Sequence, residues 1–208
     1  GIAEIKVLLM NVLFIYENAI NPMTGGAERI TFLLANYLES AGCKVFFMGL
    51  SNDLSFKDER QVFLPDPRSP ISDINIAFYL NYLDKNNIDV VINKSAMNSN
   101  ISKLSYRCCS VGIKLVSVIH NTVLGAIKNF SSVNKEKYKK RNFDFILPLT
   151  DLKFIKKLML LAYKVKYSSH YTELCKYSDY VILESEKFKE ELAVMVDKTS
   201  MRNVIAIP

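Results

Sequence analysis

Two places in the sequence offer backbone or side chains that could do chemistry. The first is the glycine pair Gly25–Gly26, followed by Ala27. It stands between an apolar, β-favouring run at Val12 to Tyr16 and a stretch of strong helical periodicity. Glycines at a helix start leave N–H groups bare at the positive end of the helix dipole, so an anion can approach closely. The same pair also serves close packing of helix on sheet, and a glycine motif alone does not separate the two uses. The second is His120, at the carboxyl end of the apolar run Lys114 to Asn121, KLVSVIHN. An imidazole there can donate to a hydroxyl or help stabilise charge. A strand-end histidine without other evidence is usually structural.

The elements that must position these residues follow from periodicity. Val12–Tyr16 has the length and composition of a strand. Ile30, Leu33, Leu34, Tyr37 and Leu38 recur at the spacing of one buried helical stripe. Thr24 is placed to cap that helix, and Gly42 to end it in a left-handed conformation. Lys44–Gly49 reads as a second strand. Ser51 to Pro70 is a polar, proline-containing loop with a short edge strand around Val62–Leu64. Ser72 is placed to cap a helix running to about Asn86, with Ile74, Phe78 and Tyr82 facing inward. Ile88–Asn93 is a short buried strand, and Ser99 to Val111 is helical up to Gly112. Residues 122–150 are harder to read: Lys135 to Arg141 is highly charged, and Phe143–Leu149 is compatible with strand or helix. A long helix follows from Leu152 to about Tyr177, then a strand at Asp179–Glu184, a helix capped by Ser185 and a last strand at Asn203–Ile207.

Strands alternate with helices throughout, which predicts an α/β, Rossmann-like, mostly parallel sheet with helices on both faces. Ligands of such sheets gather at the carboxyl ends of the strands. The glycine turn and His120 are both expected on that rim.

The chain has 208 residues, half of them hydrophobic, which suits one globular domain over residues 1–208. No apolar run reaches the roughly 18 residues of a spanning helix. Ile5 to Tyr16 is apolar but lacks the basic leader and cleavage site of a signal peptide. Met10 is a possible natural start. The four cysteines, Cys43, Cys108, Cys109 and Cys175, have no metal-ligand spacing and read as small buried hydrophobes in a reduced compartment. No metal site is expected. The net charge of +6 is unevenly placed: residues 128–176 hold twelve Lys or Arg against four Asp or Glu.

Two familiar nucleotide-binding patterns are absent. A dinucleotide fold needs G-x-G-x-x-G straight after the first strand, but here a long loop precedes Gly25 and no third glycine follows. A phosphate-binding P-loop needs Gly-Lys-Ser/Thr, which does not follow either. The stretch GGAERITFLLANYLESAGCKV instead resembles the first-helix signature of glycosyltransferases of the two-domain GT-B fold, of the retaining family-four type. VSVIHN is similar to the family's strand ending in histidine. YSDYVILESEKFKEEL resembles its alanine-aspartate, strand, serine-glutamate, helix segment, with Ser178 where alanine is usual. NVIAIP is similar to the strand leading into the second domain.

The resemblance implies the N-terminal, acceptor-side half of an enzyme moving a sugar from a nucleotide-sugar to a saccharide or lipid-linked saccharide. The C-terminal donor-binding domain would be a partner absent from this chain, leaving the fragment inactive alone. No cofactor is implied; the nucleotide-sugar is a substrate. By match to the family loop, Gly25, Gly26 and Ala27 would present N–H groups to the donor diphosphate, and His120 would face the reacting sugar. Asn18, Asn93, Asn121 and Thr122 suit sugar hydroxyls at the rim, and equally suit turns. Glu28 and Arg29 are compatible with packing or ion pairing, His170 with packing, and Glu17 with a rim carboxylate.

In the long basic helix, Leu152, Ile155, Leu158, Met159, Ala162 and Tyr163 mark one apolar face. Lys153, Lys156, Lys157 and Lys164 fall elsewhere and could lie on anionic lipid headgroups. The expected location is cytoplasmic, at the inner face of the membrane. No nucleic-acid module accompanies the charge. A stand-alone, non-catalytic Rossmann-like binding module is the alternative of a different class.

Overall fold

The computed structural model describes residues 9–50, 56–140 and 147–207. Seven strands are named in chain order: β1 (Asn11–Tyr16), β2 (Lys44–Gly49), β3 (Gln61–Phe63), β4 (Val90–Asn93), β5 (Lys114–Ile119), β6 (Tyr180–Leu183) and β7 (Val204–Ala206). They form one sheet in the order β3-β2-β1-β4-β5-β6-β7. The registered pairings of β1 with β2 and β4, of β2 with β3, and of β4 with β5 are all parallel. The helices are α1 (Gly26–Ser40), α2 (Asp73–Lys85), α3 (Ser99–Ser105), α4 (Gly125–Lys128), α5 (Phe130–Lys139), α6 (Leu147–Thr150), α7 (Lys153–Tyr177) and α8 (Glu186–Met195). The expected fold class is therefore observed. Of the charged stretch, residue 141 lies outside the described residues, as do 143–146 of the ambiguous one. The described part of the latter is one helical turn, α6.

The chain divides into two compact units, one of residues 1–120 with 177–182, the other of residues 121–176 with 183–208. In the first, side chains of β1 alternate between two cores, as the period of two in a strand requires. Leu13 and Ile15 join Tyr79 and Leu83 of α2 and Ile101 and Leu104 of α3. Val12 and Phe14 join Ala35 of α1 and Phe47 of β2 on the other face. Helices thus cover both faces.

Two helices face the core with a different side from that expected. In α1 the buried residues are Thr31 and Ala35, while Ile30, Leu33, Leu34 and Tyr37 are exposed. Small side chains let the helix lie close on Val12 and Phe47, and only Leu38 of the expected stripe packs there. In α2, Asn75, Tyr79 and Leu83 face inward; Ile74 is exposed, and Phe78 and Tyr82 flank the core. Asn75 is inside because its amide accepts from the Asp66 N–H and donates to the carbonyls of Asp66 and Ser69, ordering the preceding loop.

The expected helix ends are mostly observed. Gly42 has φ +95, and its N–H donates to the Glu39 carbonyl while that of Cys43 donates to Leu38. This is a Schellman ending, which needs the left-handed residue that glycine supplies. Gly112, φ +79, closes the helical stretch of α3 and the 3₁₀ turn after it. Ser185 caps α8, accepting from the Phe188 N–H. Thr24 does not cap α1: the N-cap is Gly25, and the Thr24 hydroxyl donates to the Asn21 carbonyl. Ser72 holds the N-cap position of α2 without a side-chain bond to its amides.

Within the first unit, the segment entering β6 is clamped to β5. The Asp179 carboxylate accepts from the Leu115 N–H and from Lys114 Nζ, both at 2.9 Å. Burial pushes this carboxyl up, but those donors outweigh it and hold it below the usual aspartate range. Ser178, standing where alanine is usual, shares a buried hydroxyl–hydroxyl bond of 2.8 Å with Ser117. Ser178→Ala leaves the Ser117 hydroxyl without that bond and should cost about 1–3 kcal/mol, whereas Ser117→Ala with Ser178→Ala should be near neutral. Denaturant melts of both variants check this.

In the second unit, the Glu191 carboxylate of α8 is buried and accepts from the Leu124 N–H and from Lys128 Nζ. Burial pushes its pKa up, but the Leu124 N–H, Lys128 and the Thr122 hydroxyl together hold it below the ordinary glutamate value. A depressed pKa stabilises the fold above the unfolded-state value of about 4.3, and that contribution is lost as pH falls through the folded-state value. Glu191→Gln should therefore lose about 1–3 kcal/mol of stability near neutral pH. The gap to wild type should close on acidification, read from melts across pH.

Candidate functional site

The loop between β1 and α1 leaves the carboxyl end of β1. Gly25 is extended, φ −170, a conformation any residue adopts, so its need for glycine is spatial. A Cβ there would lie 2.5 Å from Glu28 Oε2. That carboxylate is folded back against the loop and accepts from the Tyr16 hydroxyl at 3.2 Å. Burial, then Glu28, then Glu17 push the Tyr16 hydroxyl up to about 12, so Tyr16 remains a donor to Glu28. Gly26, the first helical residue, is exposed, and a Cβ added to it would meet nothing within 4 Å. No side chain caps this helix start. By contrast, Asn98 caps two amides of α3. The start of α1 thus has amides that no side chain caps, with Gly26 exposed and Ala27 half-buried.

The neighbouring rim, at the carboxyl end of β4, is held by polar side chains. Asn93 is fully buried; its Nδ2 donates to Ser102 Oγ and its Oδ1 accepts from the Ser95 N–H. Ser95 Oγ accepts from the Glu17 N–H, and Asn98 Nδ2 donates to the Glu17 carboxylate at 2.8 Å. Asn93 is therefore turned into the structure, where it shapes the loop, and is not offered to solvent. Glu17 is committed to the same network. Asn18 is exposed, and its carbonyl passes so close to Gly49 that a Cβ there would stand 2.9 Å away. Lys94, 6% exposed at the end of β4, and Ser95 and Asn98 were not expected at this rim. The only sequence signal for them is the polar run after the strand.

His120 is the residue after β5, half-buried, in the same unit as the glycine loop. Parallel pairing aligns Ile15 with Asn93 and Asn93 with Ser117, so β1, β4 and β5 end at one edge. The glycine turn and His120 consequently follow strands that end on the same side of the sheet, as expected. Asn121 and Thr122 belong to the second unit. Asn121 is exposed; Thr122 lies close to Gly125, whose added Cβ would be 2.9 Å from the Thr122 hydroxyl.

The remaining expectations divide. His170 is buried against Tyr171, a packing role. Cys43, Cys108 and Cys175 are buried and all four cysteines are free. Burial pushes the Cys175 thiol up to about 11, leaving it unreactive. Lys153, Lys157 and Lys164 are exposed, but Lys156 is turned aside and paired with Asp151 at 2.9 Å. Of the apolar set on α7, Ile155, Met159 and Tyr163 are half-buried, whereas Leu152, Leu158 and Ala162 are exposed. Among the described residues no cluster of His, Cys, Asp and Glu could hold a metal, and no helix is long and apolar enough to cross a membrane.

The model of the family described as Glycosyltransferase Family 4 matches residues 24–200. Among solved structures, a sucrose-phosphate synthase from Thermosynechococcus elongatus is similar with a TM-score of 0.62 and 14% identity, covering 96% of this chain and 48% of its own. A UGT transferase from Siraitia grosvenorii in complex with UDP matches with a TM-score of 0.49 and 9% identity, covering 96% of this chain and 51% of its own. The chain thus spans about half the length of these structures. No curated protein matches the sequence.

Proposed function

Because this chain belongs to glycosyltransferase family 4, we propose that it forms the acceptor-side domain of a retaining sugar-transferring enzyme. The donor is a nucleotide-sugar and the acceptor a saccharide or a lipid-linked saccharide, met at the cytoplasmic face of a membrane. The observation that carries this reading is the open helix start at Gly25–Gly26, at the same sheet edge as His120.

The chemistry fits that edge. Transfer breaks the bond between the anomeric carbon and a phosphate oxygen, joins that carbon to the acceptor oxygen and passes the acceptor's proton to the leaving phosphate; negative charge grows on the departing diphosphate. Backbone amides fixed before the reaction stabilise such charge without reorganising. Gly25, Gly26 and Ala27 fill that role, with Gly26 giving the phosphate room to approach. His120 donates to a hydroxyl of the reacting sugar and steadies the oxocarbenium-like centre. Asn18, exposed in the loop that follows β1, supplies a polar group for an acceptor hydroxyl. Asn93 acts only through the loop it orders. No cofactor or metal takes part in this scheme.

Nucleotide recognition belongs to a second domain, so the 208-residue chain by itself should not turn over. The test is release of nucleoside diphosphate from a panel of nucleotide-sugars by this chain and by the protein carrying a second domain. The expected result is release only by the latter. Turnover by this chain alone would contradict the division of labour, and absence of turnover in both would leave a non-catalytic binding module.

A further inference from the structure

We propose that the first half of α7 is an interfacial helix that seats the protein on an anionic phospholipid surface, with Phe154, Leu158, Leu161 and Val165 entering the acyl region and Lys153, Lys157 and Lys164 meeting the headgroup phosphates. These four apolar residues recur at i, i+4, i+7 and i+11, one narrow stripe of a helix. They are 69%, 47%, 60% and 79% exposed, which is the reverse of what a core-facing stripe shows. The stripe differs from the half-buried one of Ile155, Met159 and Tyr163, so α7 is apolar toward the protein and apolar again toward solvent.

Phe154, Leu158 and Leu161 of the stripe line a groove of about 390 Å³ together with Lys157 and Lys164 and with Val194 of α8. Such a lining offers hydrocarbon contact and, at its rim, cations. On an ideal helix Lys153, Lys157 and Lys164 all fall about 60–100° to one side of the stripe, forming a single row. Long lysine stems can lie along the apolar strip while their ammonium groups reach water or phosphate. From Leu152 to Thr172 the sequence holds five lysines and no Asp or Glu. Asp151, just before the helix, is paired with Lys156.

An apolar stripe beside a one-sign row is the arrangement of helices that lie in a bilayer interface. A second copy of the chain is a poorer occupant, because docking on this strip would bring the same cation rows together. Membrane seating by α7 and α8 is independent of sugar transfer.

The sequence contains no tryptophan, so Phe154→Trp, at an exposed position, gives a single indole probe. With vesicles of equal parts phosphatidylcholine and phosphatidylglycerol at low salt, its emission should shift to the blue and escape aqueous quencher. With phosphatidylcholine alone it should stay water-like. Lys153→Ala, Lys157→Ala and Lys164→Ala should each weaken binding about fivefold. Leu161→Glu with Val165→Glu should abolish flotation of the chain with the anionic vesicles, at an unchanged circular dichroism spectrum. The proposal is overturned if the indole stays exposed with anionic vesicles, or if the double variant floats like wild type. It is also overturned if the blue shift arises without lipid and grows with protein concentration, the mark of self-association.

Discussion

His120→Ala, made in the protein that carries the second domain, should lower kcat by about 10²–10⁴-fold, the range of a positioned proton donor. The imidazole stands on the residue after β5, at the rim where the strands end, and it is half-buried. An acid–base or hydrogen-bonding group that acts mainly in the transition state affects kcat more than the KM for donor. The KM should therefore change little. His120→Asn retains a donor of nearly the same reach and should recover part of the loss. Steady-state kinetics of the two variants, with a thermal melt of each, separate this from a folding effect. Equal loss of kcat in both, with a lowered melting point, would mark His120 as structural.

Gly26→Ala makes the second large effect visible because it should move stability and activity in opposite directions. A Cβ at Gly26 meets nothing within 4 Å, so the folded protein accepts it without strain. Gly26 is the first residue of α1, and replacing glycine by alanine at a compatible position stabilises by about 0.4–1 kcal/mol. The same methyl group occupies the space through which a phosphate would reach the open amides. Losing one such donor contact costs on the order of 10²–10³ in kcat. The variant should melt slightly later and turn over far more slowly. Gly25→Ala would be a poorer probe, since its Cβ displaces the Glu28 carboxylate and disturbs the bond to Tyr16.

What could be read from the sequence was the arrangement of elements, and what could not was the phase of several of them. The apolar run at β1, the glycines that end α1 and the 3₁₀ turn, and the Ser185 cap each reflect one local constraint with one solution. Helix α1 carries two overlapping sets, large residues at Ile30, Leu33, Leu34 and Tyr37 and small ones at Thr31 and Ala35. Periodicity favours the more hydrophobic set, while close approach to the sheet favours the smaller one. In α2 the buried Asn75 hides the inward face, because its amide bonds backbone groups of Asp66 and Ser69 in the preceding loop, which helical periodicity does not display.

The candidate site was legible to the same degree. The glycine turn and His120 share the expected edge because both follow strands of one parallel sheet. Asn93 looked like a rim amide from its strand-end position, yet its side chain turns inward to Ser102 and Ser95. Thr24 looked like a cap and instead bonds Asn21, which leaves the start of α1 uncapped by any side chain. Lys156 has the same residue type and surroundings in sequence as its neighbours, but it is paired with Asp151. In each case the deciding partner lies outside the local pattern or on the neighbouring turn, and type and spacing alone do not reveal it.

We propose that the amides at Gly26 and the imidazole of His120 act on one bound nucleotide-sugar, the amides on its departing diphosphate and the imidazole on its sugar. This is tested most directly by nucleoside diphosphate release from a panel of nucleotide-sugars, comparing the two-domain protein with its Gly26→Ala, His120→Ala double variant. The wild-type protein should consume a donor, and the double variant, folded by circular dichroism, should not. Equal consumption by both proteins would contradict it.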